Sequence, residues 1–136
     1  MPAGLGHVVS HVDAANFGFY RDLLTYLGWH VIYEDAGMLG LAGANEISMW
    51  FAGAVKAGTN NDYDGAGVNH LAFQTTSIAE VDAAAAYLGE RGVAMLFETP
   101  RHRPEFSGEG STYYQIMFES PDHMLFEIVY IGPYAA

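Results

Sequence analysis

The chain contains no cysteine. Disulfides, thiolate nucleophiles and cysteine-rich zinc sites are therefore excluded, and histidine and carboxylate side chains remain as the strong metal ligands. Basic residues are also scarce, because 5 Lys and Arg stand against 16 Asp and Glu, with a formal net charge of −11. This charge would repel a phosphate backbone or an anionic membrane surface. The charge thus predicts no nucleic-acid or membrane partner.

Long apolar runs are absent as well. No window reaches the roughly 18 uninterrupted apolar residues of a membrane span, and the first residues, MPAGLGHVV, lack the basic segment and apolar run of a secretion signal. We therefore expect a cytoplasmic protein. A chain of 136 residues is long enough for one domain with its own core. We predict a single domain over residues 1–136, made of two small modules.

The first half of the sequence predicts the element order β-α-β-β-β. Asp13 is placed to cap a helix, whose apolar stripe recurs at three- and four-residue spacing, and Gly28 is placed to end it. Strand-like runs precede and follow this helix, near residues 5–12, 29–34, 38–42 and 46–52.

The second half repeats this order. Residues 77–80 form a capping box, in which Ser77 and Glu80 cap a helix, and Gly92 is placed to end that helix. The predicted strands lie near residues 68–75, 93–98, 112–118 and 124–130.

A nearly constant offset relates the two halves. His7 and His70 are 63 positions apart (70 − 7), and Gly28 and Gly92 are 64 apart (92 − 28). We interpret this offset as an internal duplication. Module one then covers about 5–53 and module two about 68–131, joined by a small and polar linker at 54–67. Residues 99–111 are predicted to form a second long loop.

Glu127 is the most informative single residue. It lies in Met124–Tyr130, a run that is apolar on both faces, where an ionised carboxylate without a partner would cost several kcal/mol. The alternative is a Glu at a strand edge that points to water. His7 and His70 also lie in apolar strands, where a lone histidine is more often a hydrogen-bonded core residue than a ligand.

Together these three residues favour a metal site. The duplication puts the two histidines at equivalent positions, and a pseudo-twofold arrangement of the modules would direct both imidazoles into one cavity. Two neutral imidazoles and one carboxylate suit one divalent ion of Fe, Ni, Co, Mn or Zn, and they leave coordination positions open.

The element order and the closing segment Ser120–Glu127 resemble the vicinal oxygen chelate superfamily, which includes glyoxalases, extradiol dioxygenases and fosfomycin- and bleomycin-resistance proteins. The closing motif of that family usually runs Asp-Pro-Asp-Gly before the metal-binding Glu, whereas this chain has Ser120 and His123 at the first and fourth positions. The resemblance implies His7, His70 and Glu127 as metal ligands. It also implies an α+β fold in which two βαβββ modules form an open eight-stranded, barrel-like sheet around a cleft, with the helices outside. A homodimer is expected by the same resemblance.

Further site residues follow from the resemblance and from strand parity. Glu46 is the candidate fourth ligand, unless the family's position falls on Ser48, and Glu46 or Glu127 would act as the base. His11 shares strand parity with His7. Other side chains are predicted to contact the substrate, namely His11, Tyr113, Gln115 and Arg101, although a surface salt bridge is the commoner role of such an arginine.

Three functions remain open. The first is a metal-dependent lyase or isomerase of the glyoxalase kind, acting on a small oxygen-chelating substrate. The second is an Fe(II) dioxygenase, for which two histidines and one carboxylate are the expected ligands. The third is a metal-free binding protein of the bleomycin-resistance kind, with an aromatic-lined cleft.

Overall fold

The computed structural model describes residues 1–134. The chain divides into two compact units, one that ends at Asn60 and one that begins at Asn61. Each unit contains one helix and one four-stranded mixed sheet that stays open. The predicted α+β class and the two βαβββ modules are therefore confirmed. No helix within residues 1–134 is long and apolar enough to cross a membrane.

The sheet of the first unit has the strand order β1-β4-β3-β2. β1 pairs with β4 in parallel, and the other two pairs are antiparallel. The bounds are β1 (His7–His11), α1 (Phe17–Tyr26), β2 (His30–Glu34), β3 (Met38–Ala42) and β4 (Ser48–Ala52).

Helix α1 follows a short 3-10 turn that Asp13 caps by accepting the N–H of Ala15 at 2.9 Å. Its apolar stripe is buried, and Tyr20 in that stripe stacks on Phe51 of β4 with ring centroids 4.3 Å apart. Gly28 follows the helix with φ +92°, the left-handed conformation that Gly adopts without a Cβ clash. The predicted start and end signals of this helix are confirmed.

The sheet of the second unit repeats the topology, with the order β5-β8-β7-β6 and a parallel pairing of β5 with β8. Its core includes aromatic and branched side chains of β7 and β8. The bounds are β5 (Leu71–Gln74), α2 (Ile78–Glu90), β6 (Arg101–His102), β7 (Ser111–Glu119) and β8 (Leu125–Pro133).

The predicted capping box of α2 is present. Ser77 Oγ accepts the N–H of Glu80 at 3.1 Å, and the Glu80 carboxylate accepts the N–H of Thr76 at 2.9 Å. The Thr76 hydroxyl and amide lower the pKa of Glu80 by donating to its carboxylate. A lowered pKa means that this stabilisation is complete above the ordinary value of 4.5 and is lost as the pH falls through the lowered value. Gly92 ends the helix with φ +76°.

Two predicted strand positions are wrong. Residues 93–98 form no strand, because Phe97 and Glu98 have φ of +55° and +61° and turn the chain. The second strand of the module is instead the two-residue β6, inside the segment predicted as a loop. Glu46 lies in a 3-10 turn with φ +62°, not in a strand, and β4 begins at Ser48.

Candidate metal centre

Glu127 lies in the interior of β8 and is 1% exposed. The alternative of an edge carboxylate that points to water is therefore excluded. Its strand is central in the sheet, because β8 lies between β5 and β7. A buried carboxylate in this position needs partners from the two neighbouring strands.

The partners from β7 are Tyr113 and Gln115. The Tyr113 hydroxyl donates to both carboxylate oxygens of Glu127, at 2.9 Å and 2.8 Å. The Gln115 side-chain amide donates to Glu127 Oε2. Met117 pairs directly with Glu127, and residues two and four positions before Met117 project from the same face of β7. The antiparallel register thus brings both donors to the carboxylate.

The electrostatics of the cluster keep Tyr113 protonated. Burial, followed by the hydrogen bond to Glu127 and its negative charge, raises the pKa of Tyr113 far above its usual value. Tyr113 is therefore a hydrogen-bond donor at neutral pH. Gln115 is 4% exposed, and its Oε1 is a buried acceptor without a hydrogen-bond partner among the described residues.

The partner from the β5 side is His70, which lies one residue before that strand. Its Nε2 is 3.3 Å from Glu127 Oε1, and its side chain is 36% exposed. Ala72 pairs with Glu127, so His70, two positions earlier, lies on the same face of the sheet. When both ring nitrogens of His70 carry a proton, this contact is an ion pair. When only Nδ1 carries a proton, Nε2 and the carboxylate oxygen are both acceptors.

This donor set fits a divalent cation. An imidazole nitrogen and a carboxylate oxygen 3.3 Å apart can both reach one ion through bonds of about 2.1 Å. Within each unit, no three His, Asp or Glu side chains of residues 1–134 form a metal-binding cluster. The second unit therefore contributes two candidate ligands, and a third protein ligand has to come from elsewhere or be replaced by water.

The remaining sequence-predicted ligands belong to the first unit. His7 and His11 are exposed and lie on the same face of β1, as their parity predicts. His7 pairs with Ser48 in the parallel register with β4. Glu46 precedes β4 and is exposed. The roles of His7, His11 and Glu46 stay predictions from the sequence.

Arg101 lies on the same face as the cluster. It pairs with Gln115 across the β6–β7 ladder, and residues paired in this way project to one side of a sheet. Its guanidinium lies 3.5 Å from the exposed Glu98 carboxylate. Arg103 is near the site as well, because its guanidinium covers Phe106, whose ring contacts Tyr113 edge to face.

Sequence reasoning missed Asn69 as a site residue. Its side-chain Oδ1 lies 2.8 Å from His70 Nδ1. The signal was available, since a predicted histidine ligand requires a partner for its second ring nitrogen, and Asn69 is its neighbour in the chain.

Replacing Tyr113 by Phe is expected to lower the free energy of unfolding by about 1–3 kcal/mol, because the buried carboxylate loses a donor to both of its oxygens. Chemical denaturation measures this change. Tyr114→Phe is the matched control, since the Tyr114 hydroxyl donates to the exposed Asp82 at 2.5 Å. Equal losses for the two variants would show that Tyr113 does not compensate Glu127.

Comparisons with known proteins identify the family of this chain. Residues 4–128 match the family described as the Glyoxalase/Bleomycin resistance protein/Dioxygenase superfamily. No curated protein matches the chain.

Three solved structures illustrate the likeness. A glyoxalase candidate from Bacillus halodurans is 26% identical with a TM-score of 0.77, covering 93% of this chain and 94% of its own. The fosfomycin resistance protein FosX from Listeria monocytogenes, solved with Mn(II) and sulfate, is 26% identical with a TM-score of 0.65, covering 94% and 90%. A glyoxalase/dioxygenase from Nostoc punctiforme is 20% identical with a TM-score of 0.73, covering 96% and 91%, and shows the fold alone. Because the family match spans most of the residues, this chain belongs to the glyoxalase/bleomycin resistance protein/dioxygenase superfamily.

Proposed function

We propose that this protein is a divalent-metal-dependent lyase or isomerase of the glyoxalase type. The observation that carries the proposal is the buried Glu127 carboxylate, with His70 Nε2 3.3 Å from it. A carboxylate that is 1% exposed and opposed by an imidazole is the kind of pair that a cation stabilises. The likeness to FosX, which was solved with Mn(II), supports a divalent metal in this protein.

His70 and Glu127 would hold the ion, with His7 as the third ligand that the sequence predicts. A bound divalent ion supplies Lewis-acid polarisation of adjacent substrate oxygens. Tyr113 and Gln115 donate to Glu127 and so fix the orientation of its carboxylate. Tyr113 keeps its proton, so its hydroxyl remains a donor to the Glu127 carboxylate at neutral pH. A carboxylate, Glu127 or Glu46, would move the substrate proton.

The proposed substrate is a small molecule with two adjacent oxygens, such as an α-hydroxyketone or a dicarbonyl. Arg101 shares the sheet face of Gln115 and is available to a negative group on that substrate. The ion pair between Arg101 and Glu98 is weak, because both side chains are solvent-exposed. We therefore favour a substrate that carries an anionic group near its chelating oxygens.

An Fe(II) dioxygenase is the second candidate. The observation in its favour is the residue types themselves, since two histidines and one carboxylate are the ligands of non-haem Fe(II) oxygenases. A metal-free binding protein of the bleomycin-resistance kind is the third, and it predicts that no metal is retained.

The test begins with elemental analysis of protein purified without chelators or a metal-binding tag. We expect about one divalent ion per chain, and its loss from His70→Ala. The protein is then loaded anaerobically with Fe(II), Ni(II), Co(II), Mn(II) or Zn(II) and assayed for hemithioacetal isomerisation and for catechol cleavage.

Isomerase activity that requires a metal and disappears in His70→Ala would support the proposal. Ring cleavage with Fe(II) alone would replace it with the dioxygenase. If no metal binds and the variant keeps the ligand affinity of the wild type, the binding-protein candidate takes its place.

A further inference from the structure

Asn69 makes two hydrogen bonds that define the orientation of its amide. Its Nδ2 donates to the backbone carbonyl of Tyr63 at 2.8 Å. Its Oδ1 lies 2.8 Å from His70 Nδ1. Rotating the amide by half a turn would put its oxygen against the Tyr63 carbonyl oxygen, which repels it. The acceptor atom of Asn69 must therefore face the imidazole.

This orientation determines which ring nitrogen of His70 carries the proton. Only a protonated Nδ1 can donate to Asn69 Oδ1, so a singly protonated imidazole has its lone pair on Nε2. Nε2 is the atom that lies 3.3 Å from Glu127 Oε1. The lone pair is thus directed toward the proposed metal position.

We propose that Asn69 is a positioning residue, which selects the tautomer and the ring orientation in which His70 binds a metal. This inference rests on the proposed function, because it assumes that His70 is a ligand. Outer partners of this kind fix a ligating histidine and raise its basicity, and their loss typically weakens metal binding about 10–100-fold.

The segment that carries Asn69 is held in place by other bonds in the same unit. The Tyr63 hydroxyl donates to Glu119 Oε1 at 2.8 Å, and the Asn61 side chain donates to the His123 carbonyl at 2.8 Å. Both partners belong to the end of β7 and the turn that follows it. Because the Tyr63 carbonyl is held by this anchored segment, Asn69 is oriented before any ion arrives, and less entropy is lost when the ion binds.

The experiment measures Zn(II) affinity by competition with a chromogenic chelator. Asn69→Leu keeps the size of the side chain and removes its acceptor, so we expect affinity about 10–100-fold below that of the wild type. Asn61→Leu is the matched control, because it removes a comparable bond to a backbone carbonyl from the same segment and leaves the Asn69–His70 contact intact, so its loss of Zn(II) affinity should be much smaller than that of Asn69→Leu. If Asn69→Leu does not fold, Asn69→Ala carries the same comparison with a smaller side chain.

A second readout separates positioning from a merely structural role. In the Zn(II)-loaded wild type, long-range proton–nitrogen NMR spectra should show a His70 Nδ1 proton that exchanges slowly with water, and this proton should exchange fast in the Asn69 variants.

The outcomes separate this inference from the proposed function. If the wild type binds Zn(II), His70→Ala does not, and the Asn69 variants bind as tightly as the wild type, then Asn69 is not a positioning residue while the metal site stands. Variants that lose stability but keep their Zn(II) affinity lead to the same conclusion. A wild type that binds no metal would overturn both.

Discussion

Glu127→Gln is expected to lower the affinity for a divalent metal by at least about 100-fold, since it replaces a proposed ligand and not merely an outer partner. The substitution keeps the shape of the side chain and removes its charge. It also places an NH₂ group among the donors of Tyr113 and Gln115, which now contact carboxylate oxygens. The new NH₂ group then points either at the Tyr113 or Gln115 donor, which it repels, or toward the ion, which it cannot bind. Isothermal titration with Zn(II) measures the loss.

Glu90→Gln is the control for this measurement. Glu90 is the last residue of α2 and is exposed, so the variant has the same change in net charge without a change in the buried cluster. We expect its Zn(II) affinity to equal that of the wild type. Wild-type affinity in Glu127→Gln would exclude the carboxylate as a ligand, whatever the fold family implies.

Phe126→Ala is expected to lower the free energy of unfolding by about 3–5 kcal/mol. Phe126 is 0% exposed, and its ring lies 5.8 Å from Phe73 and 5.9 Å from Phe118. Truncation removes contacts on two sides and leaves a cavity that the flanking rings can only partly fill. Chemical denaturation followed by tyrosine and tryptophan fluorescence reports the change.

Ile131→Ala tests whether the loss of stability expected for Phe126→Ala comes from the burial of that side chain. Ile131 lies in the same strand and is 42% exposed, so its truncation should change the stability by much less. If the two variants are equally destabilised, the rings of Phe73, Phe118 and Phe126 do not form the core of this unit. Phe126 and Glu127 project to opposite faces of β8. The Zn(II) affinity of Phe126→Ala therefore also shows how far the candidate metal site depends on the core on the other face of the sheet.

The helices were predictable because their signals are local. Ser77 and Glu80 lie three positions apart, the spacing at which a hydroxyl and a carboxylate cap one helical turn. Gly28 and Gly92 each follow a helix in a left-handed conformation. None of these signals depends on a distant part of the chain, so the sequence alone predicts where both helices begin and end.

The strand after α2 was not predictable in the same way. Phe97 and Glu98 adopt positive φ without being Gly or Asn, the residues that normally announce such a turn. β6 has only two residues and exists because it pairs with β7, so no periodicity marks it. The sequence therefore predicts a loop at Arg101, whereas the structure places this residue in β6.

The sequence indicates the buried carboxylate of the candidate site but not the hydrogen bonds that hold it. An ionisable residue in an apolar run indicated that Glu127 needs compensation. Which side chains provide it depends on the β7–β8 register, in which Met117 pairs with Glu127 and thereby brings Gln115 and Tyr113 into reach. A sequence predicts the two strands but not the pairing of their residues.

The turn before β8 is closed by hydrogen bonds although its residues depart from the usual motif of the family. Ser120 Oγ accepts the N–H groups of Asp122 and Met124, both at 3.2 Å, which is the task an aspartate carboxylate would perform at that position. His123 adopts φ +59°, and its N–H donates to the Ser120 carbonyl at 3.0 Å while its own carbonyl accepts from Asn61. One backbone bond and one bond from the Asn61 side chain therefore hold the conformation that glycine would adopt freely. The residue types at these positions can change as long as the side-chain acceptor and these two bonds persist, so we expect the bonding pattern of this turn to vary less than its sequence.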